Sequence, residues 1–117
     1  MPSRTQKATT GHAALFGATD YKTVAAGVTD SVLEKAIGSG AVGDLIQGFL
    51  VIPATTSPGA ITIKDGAGGA ITVFAGGASS VSSLTPFGIP LGVLSAAGAW
   101  SVTTGANVSV VAVGNFS

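Results

Sequence analysis

The chain has 117 residues, a length that suits one domain with a single hydrophobic core. Only 9% of its residues are charged, against about 25% in a typical soluble domain, and five basic and five acidic side chains cancel. The zero net charge argues against binding to nucleic acid or to an anionic membrane surface, and the absence of cysteine excludes disulfides and thiolate chemistry.

Charged side chains are confined to the first 65 residues of the chain. Two of them, Arg4 and Lys7, lie near its start, whereas the segment from Gly66 to Ser117 has none. A neutral surface of this extent tends to associate with other proteins. We therefore expect these last 52 residues to contribute contacts within an oligomer. Tyr21 and Trp100 are the candidate anchors of that interface, because a lone Tyr and a lone Trp can serve in this way.

The first residues read differently from the rest. Residues 1–20 mix Ser, Thr, Gln, Lys, Gly and Ala with little periodicity, which predicts an extended N-terminal arm, and residues 21–117 then form a single β-sandwich domain. Arg4, Lys7 and His12 are the candidate contacts between this arm and a partner. His12 is the only histidine, and a catalytic triad would require it in a rigid, water-excluding site that an arm does not provide.

Two apolar patterns follow the arm. The apolar positions within 30–38 fit either a short helix or a strand that ends at Gly38, and the β-type sequence around them favours the strand. The segment from Asp44 to Pro53 is apolar at nearly every position. Such a run predicts a central strand that is buried on both faces of its sheet.

The remaining elements all have β character. Segments 60–64 and 70–74 alternate apolar with polar residues around a loop that contains Asp-Gly, and this pattern predicts a β-hairpin. Proline at 86 and 90 confines 87–94 to a sheet edge or an irregular crossing. Segments 100–104 and 107–113 predict two closing strands around a turn. The whole pattern predicts an all-β, jelly-roll-like or Greek-key sandwich of about seven or eight antiparallel strands.

The glycines at 38, 40 and 43 match the dinucleotide-binding pattern G-x-G-x-x-G. That pattern requires a following helix whose N-terminus holds the pyrophosphate, and the β-branched segment that ends at Pro53 does not suit one. We interpret these glycines as a turn. The acidic residues form no calcium-loop motif and the chain has no second histidine, so we predict no catalytic residue, no cofactor, no metal ligand and no enzymatic activity. An enzyme would instead present a pocket with convergent polar side chains.

The apolar segment 45–53 is followed by Ala-Thr-Thr-Ser-Pro-Gly-Ala-Ile-Thr-Ile-Lys-Asp-Gly and later by a tail rich in Gly, Ala and Thr. Together with the basic arm, this organisation resembles the decoration, or cement, proteins of tailed-bacteriophage capsids. The resemblance implies a structural virion protein that is made in the host cytoplasm, binds the outer surface of the phage head and bridges capsid subunits. The implied partners are the major capsid protein and other copies of the chain, as a favoured homotrimer or a dimer, without direct contact to nucleic acid or membrane.

The same style of sequence occurs in other virion proteins. The alternative is therefore a head-fibre or tail-associated binding module that attaches to host-surface glycans. No catalytic residue carries over from either kind of protein.

Overall fold

The computed structural model describes residues 20–117, which form two four-stranded antiparallel sheets. In chain order the strands are β1 (Asp20–Val24), β2 (Ser31–Val32), β3 (Leu45–Pro53), β4 (Ile61–Asp65), β5 (Ile71–Phe74), β6 (Phe87–Leu94), β7 (Trp100–Thr104) and β8 (Val108–Asn115). The first sheet has the order β1-β8-β3-β6, and the second has the order β2-β7-β4-β5. Within the described residues no helix is long and apolar enough to cross a membrane.

The pairing of the strands is nested. β1 pairs with β8, β2 with β7, β3 with β6 and β4 with β5, as in one long antiparallel ribbon folded over on itself. Two further pairings, β3 with β8 and β4 with β7, join the halves of each sheet. This nested arrangement of eight strands in two sheets is a jelly roll, so the predicted fold class is confirmed.

The core lies between the two sheets. β8 alternates buried and partly exposed residues along its whole length, as the period of a strand requires. Val110 and Ala112 of β8 are fully buried and belong to the same apolar cluster as Ile61 and Ile63 of β4. Trp100 of β7 completes the cluster. Each sheet therefore covers one face of the other.

The local predictions can be compared with the strands. The hairpin is confirmed, since β4 and β5 pair directly with Ile63 opposite Ile71. β6 is an edge strand, as its prolines predicted. β7 and β8 are also present, but they lie in different sheets, so the turn between them crosses the sandwich and does not close a hairpin. The strand expected to end at Gly38 is confined to Ser31–Val32.

The glycine pattern at 38–43 lies in the loop between β2 and β3. Gly38 and Gly43 have φ angles of 83° and 90°, in the left-handed region that glycine adopts without strain. A strand and not a helix follows them, so the interpretation as a turn is confirmed. The predicted arm lies outside the described residues except for Asp20, which begins β1.

Candidate functional site

The residues singled out from the sequence have different fates. Arg4, Lys7 and His12 lie outside the described residues. Tyr21 is 74% exposed on β1 and is available for a contact. Trp100 is only 3% exposed, and its indole N–H donates a hydrogen bond to the backbone oxygen of Asp44 at 3.0 Å. The prediction that Trp100 anchors an interface is therefore wrong, because β7 directs this side chain into the core of its own sandwich.

Tyr21 belongs to a row of residues that crosses the first sheet. It pairs with Val113 of β8, Val113 pairs with Gly48 of β3, and Gly48 pairs with Pro90 of β6. Directly paired residues of antiparallel strands share a face of the sheet. Because the neighbouring Ala112 points into the core, this row points away from it. The row thus lies on the face that the second sheet does not cover.

β3 shows how apolar this uncovered face is. Phe49 and Val51 are 3% and 0% exposed on the inner side, whereas Leu50 and Ile52 are 43% and 36% exposed on the outer side. The prediction of a central position is confirmed, because β3 lies between β8 and β6. The prediction that both faces of β3 are buried is wrong for a single protomer, since a two-layer sandwich covers only one face of each sheet.

The uncovered face also lacks charge. Among the residues of β1, β3, β6 and β8, only Asp20 and Lys22 are charged, and they pair with the inner residues Gly114 and Ala112. Lys22 donates a hydrogen bond to the backbone oxygen of Val32 at 2.7 Å, towards the other sheet. We call this uncharged surface the outer face. Its main apolar members are Tyr21, Leu50, Ile52, Pro90, Val111 and Val113.

The opposite side of the sandwich provides an internal comparison. There Thr62 of β4 pairs with Thr72 on one side and with Thr103 on the other, so hydroxyl groups cover the second sheet. An ion pair between Lys64 and Asp30, at 3.3 Å, lies beside them. Antiparallel sheets that face water usually show this polar pattern. The outer face of the first sheet departs from that pattern.

The outer face is not flat. A cleft of about 300 Å³ lies beside Val113 and is lined by Gln47, Gly48, Gly88 and Pro90. A Cβ atom at position 48 would lie 2.4 Å from the backbone oxygen of Ile89, so glycine is required and backbone forms the floor of the cleft. The face therefore has a hollow on β3 and a projecting aromatic ring on β1, with β8 between them.

A second cleft, of about 400 Å³, is lined in part by Asp30, Lys64 and Ser101. It does contain convergent polar side chains, but the two charged groups pair with each other, and Asp30 also accepts a hydrogen bond from the hydroxyl of Thr103. Within residues 20–117 no group of three or more His, Cys, Asp or Glu side chains could hold a metal ion. The absence of enzymatic activity stays a prediction.

Two aspartates have structural roles that sequence patterns did not reveal. Burial alone would raise the pKa of the Asp44 carboxyl, but hydrogen bonds from Ser117 and Ala41 outweigh burial and hold this pKa below its ordinary value. The backbone N–H groups of Ala97 and Ala96 donate to the Asp65 carboxylate at 2.9 Å and lower its pKa as well. Asp65 thus fixes the loop before β7 and is more than a turn residue.

The chain was also compared with protein-family models, curated proteins and solved structures, and nothing in any of the three comparisons matches it. The functional argument therefore rests on the geometry of the outer face and on the patterns in the sequence.

Proposed function

We propose that the protein is a structural virion protein: a capsid decoration, or cement, protein that binds the outer surface of a phage head and bridges capsid subunits. The observation that carries the proposal is the apolar, uncharged outer face. Exposed apolar surface of this extent on a small domain marks a protein–protein contact. A chain whose most distinctive surface is built for packing fits a structural role better than a catalytic one.

The capsid is proposed as the partner because of the segment that resembles decoration proteins. In the fold this segment forms β3, the turn that follows it and the first strand of the hairpin, β4. Jelly rolls are common in viral capsid proteins, which supports the proposal by analogy of fold only. Further copies of the chain are proposed as the other partner, since a neutral face can pack against its own copy.

The arm supplies the second element of the proposal. Arg4 and Lys7 would pair with acidic groups on the capsid, and an extended segment that orders on contact can reach across a subunit boundary. The arm precedes β1, an edge strand of the first sheet, so capsid contacts would begin beside the outer face. In this arrangement the arm and a sheet edge hold the protein on the head.

Deleting residues 1–19 tests the proposal. The deletion should end there because the carboxylate of Asp20 accepts a hydrogen bond from the backbone N–H of Phe116 at 2.8 Å and belongs to the fold. We expect the shortened protein to fold but to lose co-sedimentation with capsids that lack the protein. Replacing Arg4 and Lys7 with alanine should weaken binding, whereas Lys35→Ala, at an exposed position of the domain, should not. Unchanged capsid binding by the shortened protein would contradict the proposed role of the arm.

A head-fibre or tail-associated module is the second candidate, and one cleft favours it. The cleft, of about 480 Å³, is lined by Phe74, Phe87 and the hydroxyl side chains of loop 80–85. Aromatic rings with a few polar groups beside them are typical of small-ligand sites, including sites for sugars. We would expect binding on a glycan array that Ser82→Trp, which fills the cleft, abolishes and Ala106→Trp leaves intact. An array without binding by the intact protein would contradict this candidate.

A further inference from the structure

We propose that the outer face is a two-fold interface with a second copy of this chain, in which Tyr21 of each copy fills the Gly48 cleft of the other. The proposal concerns self-association alone, so it can fail while the capsid proposal stands. Its basis is that the projection and the hollow lie in one row of the first sheet. Tyr21 is on β1, Gly48 is on β3, and both pair with Val113 of the intervening β8.

The spacing of the strands defines the symmetry. Neighbouring strands lie about 4.8 Å apart, so Tyr21 and Gly48 are about equally far from Val113, on opposite sides of it. A two-fold axis that runs along β8, in the plane between two facing sheets, exchanges these sides. It brings Tyr21 of each copy over Gly48 of the other, which is an isologous contact. In the next row the same axis brings Thr23 over Leu50, since both pair with Val111.

The direction of the surface favours a pair over a ring. A closed ring needs a projection and a hollow on faces that point in different directions. Here Tyr21 and the cleft at Gly48 lie on one face and point the same way, so joining them turns the partner through 180°. A two-fold pair therefore fits this face better than the homotrimer that the resemblance favoured.

The chemistry of the face suits a second copy as its occupant. No charged side chain of the four strands points outward, so two identical faces meet without opposing like charges. An aromatic anchor among aliphatic side chains, with charge depleted, is typical of the centre of a protein interface. The partner also supplies the missing cover over Leu50 and Ile52, which the sandwich itself leaves exposed.

The size of the face is close to what a stable dimer needs. Eight residues of β8 and four strands give a footprint of about 26 by 19 Å. This is about 500 Å² before the relief of the side chains is counted, and it approaches the roughly 800 Å² per partner of a standard interface.

Sedimentation velocity on the full chain, from nanomolar to tens of micromolar, tests the proposal. We expect a species of about twice the 11.2 kDa of one chain. Val111→Lys places two ammonium groups against each other on the axis and should raise Kd by about a hundredfold or more. Tyr21→Ser, at a position 74% exposed in the protomer, should raise Kd about tenfold, whereas Ile37→Lys, at a fully exposed loop position, should leave Kd unchanged.

Cross-linking tests the symmetry and does not depend on a lysine variant that folds. The chain has no cysteine, so single cysteines can be added at will. With a short bis-maleimide, Val111→Cys should link to its own copy, and Thr23→Cys should link to Leu50→Cys in a mixture but not to itself. A monomer at every concentration, a trimer by mass, a dimer that tolerates Val111→Lys, or Thr23→Cys linking to itself as readily as to Leu50→Cys would each overturn the proposal.

Discussion

The carboxylate of Asp44 accepts hydrogen bonds from both the backbone N–H and the hydroxyl of Ser117. It also accepts one from the backbone N–H of Ala41 at 3.0 Å. Asp44 is only 5% exposed, and it directly precedes β3, while Ser117 follows β8. This one side chain therefore joins the ends of the two central strands of the first sheet.

Replacing Asp44 with asparagine should destabilise the fold by about 2–3 kcal/mol. The amide nitrogen of asparagine is a donor and would face donors that are buried with it. Urea unfolding followed by circular dichroism measures the loss. Asp30→Asn is the matched control, because its ion pair with Lys64 is partly exposed and contributes about 1 kcal/mol or less. Equal losses for the two variants would contradict the role given to Asp44.

Stability should fall in acid because the pKa values of Asp44 and Asp65 are lowered in the folded protein. The unfolded chain then binds more protons in the acid range. The stabilisation is fully present above the ordinary carboxyl pKa of about 4 and is lost as the pH falls through the lower, folded values. Urea midpoints at pH 7 and pH 3 measure the effect. Asp44→Asn should reduce this pH dependence, and an unreduced dependence would argue against it.

Gly48→Ala should destabilise the protein by about 2 kcal/mol or more, because the new Cβ atom would lie 2.4 Å from the backbone oxygen of Ile89. Strand β6 would have to move away from β3. Gly69→Ala is the matched control, since no atom lies within 4 Å of a Cβ at that position. Thermal unfolding of both variants gives the comparison. If Gly48→Ala is as stable as Gly69→Ala, the close approach of β3 and β6 is wrong.

Trp100 should report on the core, because it is the only tryptophan in the chain. Its fluorescence should be blue-shifted and resistant to iodide quenching in the native protein, at every protein concentration, and should shift to the red on unfolding. A burial due to self-association would instead disappear on dilution to the monomer. Quenching that increases with dilution would reinstate Trp100 as an interface residue.

Local patterns in the sequence predicted local structure well. The hairpin of β4 and β5 was predictable because its strands alternate and its loop contains Asp65-Gly66, all within 16 residues or so. The contact of Asp44 with Ser117 spans 73 positions and leaves no local trace. The turn at 105–107 was visible too, but glycine and asparagine indicate only that the chain turns, not whether the next strand stays in the same sheet.

The largest difference concerns which partner buries an apolar strand. The run from Leu45 to Pro53 predicted burial on both faces, and a sequence does not tell whether the cover comes from the same chain or from another. The structure assigns Phe49 and Val51 to the core of the protomer and leaves Leu50 and Ile52 outside. Trp100 failed as an interface anchor for the converse reason, since its strand directs it inward.

The most direct test of the central claim is a cryo-electron microscopy reconstruction of virus particles from the source of this chain. A decoration protein predicts density for the jelly roll on the outer surface of the head, with the outer face of its first sheet buried in a contact and the arm extended over neighbouring capsid subunits. A head surface without this density, or density for the jelly roll only in a fibre or in the tail, would contradict the claim.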